Sequence, residues 1–281
     1  MLNAVRVKAP TALCADVRGV EPWVFWRAAA SLAGFQTPET VLALGEALED
    51  AEPFVRWAAA QALGEIGRRA TDRALPVMVG QVVLEAAEAA DAGARAAAAD
   101  AIASWGPGAP LEPALVLARD AQATVRAAAP RALGLAGSQS PRVVTPVLRT
   151  ALEDPDLEVR RMAANALAWC RDEASSSALC ARLRDPVGVV RAAALRALAR
   201  LSSWDREAAV LPLLRDPDPF VRAEAIRFLR LRGGKDSIAA LRELEDDGAL
   251  VGNATVGALA RDARRQIARR QRWWSRRLGR R

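Results

Sequence analysis

Residues 216–233 read DPDPFVRAEAIRFLRLRG: an aspartate, five residues ending in valine, an arginine, and then a run rich in apolar residues. The same order returns as DAEPFVRWAAAQALGEIG from Asp50, DAQATVRAAAPRALGLAG from Asp120, DPDLEVRRMAANALAWC from Asp154 and DPVGVVRAAALRALARL from Asp185. In all five copies the arginine follows the aspartate by six residues. Degenerate copies fill the gaps. EPWVFWRAAASLAG spans 21–34, DAGARAAAADAIASWG carries Arg95 without the acid at the expected offset, and DDGALVGNATVGALA, from Asp246, puts Gly252 where the arginine belongs. The marker positions are 27, 56, 95, 126, 160, 191, 222 and 252, which makes eight units of about thirty residues. A recurring period of that length means stacked repeats.

Each unit reads as two helices. Shorter apolar helices are expected ahead of the markers, over Glu39–Leu48, Leu75–Ala89, Leu111–Ala118, Pro141–Leu152, Ser176–Leu183, Arg206–Leu214 and Ser237–Leu244. Thr37-Pro38 and Ser140-Pro141 supply a capping side chain followed by proline at the first helical position. The Asp-Pro pairs at 154, 185 and 216 stop the first helix and set the turn into the second. In the second helix, counted from the residue before the marker arginine, apolar residues recur at 0, +4, +8 and often +11, as in Val55, Ala59, Leu63 and Ile66. That is the stripe of a helix buried on one side. Gly67, Gly106, Gly137 and Gly233, near +12, are expected to end these helices in a left-handed cap. Pro130 falls inside the second helix of the fourth unit and calls for a late helix start or a kink. No segment alternates with period two, so no sheet is expected.

The run D-x-x-x-x-V-R-x-x-A-A-x-A-L-G resembles the HEAT-like repeat named after phycobilisome lyases, within the HEAT/armadillo class, over roughly residues 12–260. The resemblance implies an all-α fold, a right-handed α-α superhelix (a HEAT/armadillo-like solenoid) of about eight two-helix repeats. It implies that each marker arginine bonds the acid or turn carbonyls of an adjoining unit, and that the second helices line the concave face. Composition then sets apart residues 1–255, the solenoid, from residues 256–281, a basic, tryptophan-containing helix or tail.

Positions +2, +6 and +10 of the second helices point away from the buried stripe. Those that stand out are Trp57, Arg131, Arg161, Asn165, Trp169, Arg196, Arg200 and Arg227. They read either as a groove for an acidic or phosphorylated partner with tryptophan anchors, or as a solvated ladder with the rings packed on neighbours. Trp23, Phe25 and Trp26 cover the first repeat as a cap, or offer a docking site. Residues 70–93, the long step, extend a core helix or meet a second subunit.

The net charge of +7 is unevenly placed. Residues 261–281 hold ten arginines and one acid, a net of +9, and leave residues 1–260 with 30 basic and 32 acidic groups, a net of −2. The segment 256–278 is amphipathic, with Val256, Leu259, Ala263, Ile267, Trp274 and Leu278 on one side, interrupted by an arginine near 270. Arg264, Arg265, Arg269, Arg270, Arg272, Trp273, Trp274, Arg276 and Arg277 are its candidate contacts for anionic lipid or nucleic acid, and the alternative is a solubilising cap.

The chain has no histidine and no tyrosine, which excludes Ser-His-Asp and Cys-His catalysis and histidine-ligated metals. With three cysteines no four-thiolate zinc site can form. Cys170 and Cys180 read as buried free thiols or a pair. No cofactor is called for. No stretch is long and apolar enough for a signal peptide or a spanning helix, so a cytoplasmic monomer is expected, peripheral to the inner membrane surface if the tail binds lipid. The leading function is a non-catalytic scaffold that binds a protein partner on the concave face. The resemblance also admits a bilin lyase-like subunit or chaperone and a DNA-glycosylase-like nucleic-acid binder. The absence of histidine excludes the hydroxylases of this scaffold, which need histidine ligands.

Overall fold

In the computed structural model the described residues are 31, 33–201 and 207–278, without the side chains of 274–278. The expected aromatic cap at Trp23, Phe25 and Trp26 lies outside them, and so do the tail side chains of Trp274, Arg276 and Arg277.

The chain divides into two compact units, residues 1–170 and 171–281. The first holds α1 (Pro38–Ala47), α2 (Pro53–Arg69), α3 (Ala74–Ala87), α4 (Ala92–Trp105), α5 (Glu112–Leu117), α6 (Ala123–Ala136), α7 (Pro141–Ala151) and α8 (Leu157–Cys170). The second holds α9 (Ser176–Ala181), α10 (Gly188–Arg200), α11 (Glu207–Val210), α12 (Pro219–Arg232), α13 (Lys235–Arg242), a hairpin of β1 (Leu250–Val251) and β2 (Ala254–Thr255), and α14 (Val256–Leu278). The architecture is stacked helix pairs, as the repeat implies. Second helices lie side by side, α2 on α4, α4 on α6 and α6 on α8 in the first unit, α10 on α12 and α12 on α14 in the second. The stripe expected at 0, +4, +8 and +11 is buried, with Val55, Ala59, Leu63 and Ile66 all 4% exposed or less. Alanine at the remaining contact positions lets neighbouring helices approach closely.

The marker residues tie the stack together. Arg126 donates from Nε and Nη2 to the Asp154 carboxylate, at 2.8 and 3.1 Å, and from Nη1 to the carbonyls of Asp120 and Ala121, both at 2.9 Å. Arg95 makes the same set with Asp120, Arg191 with Asp216, and Arg222 with Asp247. The acid also accepts the amide two residues on, as Asp154 does from Asp156 at 2.9 Å, which closes the turn. Arg56 has the turn carbonyls of Asp50 and Ala51 but no carboxylate among the described residues, because Ala89 stands at the acid position of the next unit.

Some local expectations hold and others are corrected. Thr37 caps α1 by accepting the Thr40 amide at 3.3 Å, but Ser140 makes no side-chain cap. Of the four glycines expected to end second helices, only Gly106 has a positive φ, at 75°. Gly67 lies inside α2, where an added Cβ would fall 2.5 Å from the Trp105 ring, so its role is close packing. Helix α6 starts well ahead of Pro130 and runs through it. Cys170 and Cys180 are free thiols, the first buried and the second half-buried. The absence of any sheet is also corrected: β1 and β2 pair antiparallel, Leu250 with Thr255 and Val251 with Ala254, and Gly252 turns between them at φ 63°. The eighth unit lacks the alanine run that would start a helix at 252, so its second helix begins only at Val256. Its acid is Asp247, one residue later than the Asp246 register.

Candidate interaction surface

In the first unit the outward positions of the second helices are largely engaged with one another. Arg131 on α6 reaches Asp100 on α4 at 3.1 Å, and Ser104 Oγ donates to the Gln61 carbonyl at 3.3 Å. Arg161 pairs with Glu158 one turn back. Trp57 and Asn165 are half-buried. Trp169 keeps 37% of its surface exposed, and its ring lies where a side chain on Gly134 would be, 2.7 Å from an added Cβ. In the second unit Glu224 accepts from Arg227 at 2.7 Å and from Arg196 at 3.4 Å, while Arg200 is exposed. The positive charge counted along these rows is therefore in large part neutralised by neighbouring carboxylates.

An exposed row was missed. Val189, Phe220 and Leu250 occupy the position just ahead of the buried valine in three successive units, and they are 45%, 57% and 70% exposed. Leu231, also exposed, lies further along α12. The signal in the sequence was the apolar doublet Val189-Val190, Phe220-Val221 and Leu250-Val251: one member of each is core, and the other has no core to enter.

The segment that composition set apart is partly built into the second unit. Val256, Ala260, Ala263 and Ile267 are fully buried, and α14 packs on α12 and α13. Arg264 pairs with Glu245, and Arg261 donates to the Glu245 carbonyl. Arg270, which interrupts the apolar side, donates to the carbonyls of Arg230 and Leu231 at 2.9 Å and of Gly233 at 2.5 Å. It thereby satisfies the open C-terminal end of α12. Arg265, Arg269, Arg272 and Trp273 face outward.

Acid titration separates the carboxylates. The Arg95 and Arg126 guanidinium groups hold Asp120 and Asp154 below the usual carboxylate range. Burial pushes Asp100 up, against the opposing pull of Arg131. A depressed carboxylate contributes stability above its unfolded pKa and loses it as pH falls through the folded one, so the ladder weakens below about pH 4. Asp100 has the opposite sign. Urea melts of Asp154→Asn are expected to show a loss at pH 7 that shrinks toward pH 3, whereas Asp100→Asn costs less at pH 7; equal losses at both pH values for Asp154→Asn would refute this.

Among the described residues no cluster of three or more His, Cys, Asp or Glu could hold a metal ion, and no helix is long and apolar enough to cross a membrane. The sequence profile described as HEAT repeats matches residues 12–83, 117–199 and 177–260. No curated protein matches the chain. The fold is similar to that of YibA from Escherichia coli, at a TM-score of 0.65 and 20% identity over 95% of both chains. It is similar to importin beta at 0.66 and 16% identity, over 92% of this chain and 41% of that one. Kap95p, from a structure concerned with its binding to RanGDP, matches at 0.66 and 16% identity over 92% of this chain and 40% of that one.

Proposed function

The chain belongs to the family of HEAT repeats, and on that footing we propose that it is a cytoplasmic, non-enzymatic scaffold that docks a protein partner. The observation that carries this reading is the set Val189, Phe220 and Leu250, three large apolar side chains, each exposed just ahead of a buried valine in successive units. Exposed apolar groups that recur on successive units mark an interaction surface, and buried aromatic anchors carry most of the energy of such contacts. Kap95p, of the same fold, is described as binding a protein.

The test is affinity capture with the full chain and with a Phe220→Ser, Leu250→Ser variant, followed by direct binding of the captured partner. Both side chains are exposed, so the variant should melt as the parent does. A partner retained at high salt and bound at least about tenfold more weakly by the variant is expected. Unchanged capture would overturn the proposed face. Binding of a bilin by the purified chain would favour the lyase-like reading that the repeat resemblance implies.

A further inference from the structure

The arginines of α14 whose side chains are described fall into two groups. Arg261, Arg264 and Arg270 are spent on Glu245 and on the end of α12. Arg265, Arg269 and Arg272 are exposed and have no acidic partner among the described residues. They stand at intervals of four and three residues, so they share one face of the helix and span about 10 Å at about 1.5 Å per residue. The one acid of this segment, Asp262, faces Arg230 at 3.8 Å and Gln266 at 2.8 Å.

We propose that this face of α14 binds the phosphodiester backbone of nucleic acid. Duplex DNA carries a charge about every 1.7 Å of its axis, so a row of three guanidinium groups over that length meets several phosphates. Arginine suits phosphate through its planar fork of donors. A helix that lies in a bilayer surface needs a continuous apolar face. Here the described part of that face, from Val256 to Ile267, is already used, since Val256, Ala260, Ala263 and Ile267 are buried in the repeat stack. Binding of this kind is independent of sequence and does not involve the apolar row, so it stands or falls apart from the protein-docking reading.

Cutting the chain at residue 260 would remove Ala263 and Ile267 from the core and the Arg270 bonds from the end of α12, so substitution is the proper test. A labelled duplex of roughly 20 base pairs is titrated with the full chain and with Arg265→Gln, Arg269→Gln, Arg272→Gln, at about 50 mM salt and upward. The expected result is at least about thirtyfold weaker binding by the triple variant, with the slope of log K against log salt reduced by about 2 to 3. Arg200→Gln, Arg227→Gln, on other helices, should change binding less than about threefold. Absence of duplex binding by the parent, or equal binding by the triple variant, overturns the proposal. So does sedimentation with vesicles containing about 30% phosphatidylglycerol that depends on these arginines while duplex binding does not.

Discussion

Arg126→Ala is expected to lower the unfolding free energy by about 3 kcal/mol, because it strands a largely buried Asp154 carboxylate and two turn carbonyls at once. The side chains of the pair are 17% and 12% exposed, so water replaces the lost partner poorly. Arg56→Ala is the internal control. Its guanidinium reaches the carbonyls of Asp50 and Ala51 and no carboxylate among the described residues, so the loss there should be nearer about 1 kcal/mol. Lysine at 126 should rescue little, since a point charge cannot make the fork of bonds that spans both units. Urea denaturation of the variants, with Asp154→Ala to complete a double-mutant cycle, measures the coupling. Equal losses at 56 and 126 would show that the carboxylate rung adds nothing.

Gly64→Ala is expected to destabilise by about 2–3 kcal/mol, although alanine is the better helix former by about 1 kcal/mol. An added Cβ would fall 2.4 Å from Ser104 Cβ and 2.6 Å from the Trp105 backbone nitrogen. A backbone atom cannot rotate away, so α2 and α4 would have to separate. Gly80→Ala, in α3, is the contrast: its nearest neighbour is Pro110 Cγ at 3.8 Å, an ordinary contact. That variant should gain about 0.5–1 kcal/mol by propensity alone. Thermal melts of the two variants should move in opposite directions, and a gain at Gly64 would refute the close approach.

The helix pairs, their order and the buried stripe were legible in the sequence. Each depends on a short-range pattern, a capping residue, an Asp-Pro turn or an apolar period, that repeats often enough to average out local exceptions. The exceptions were not legible. Gly67 looks like a helix end and serves as the floor for Trp105. Arg270 looks like a break in an apolar side and closes α12. Arg131, Arg196 and Arg227 look like free positive charge and meet carboxylates on their own or the adjoining helix.

By itself the sequence determined that this chain is a stack of helical hairpins, because that follows from spacing along one repeat, while the Asp-Arg rungs were implied by the resemblance that the repeat carries. The tertiary structure alone decided which arginines face solvent and which apolar residues remain uncovered. Those depend on what a neighbouring unit, some thirty residues away, places opposite each side chain, and no local pattern carries that information.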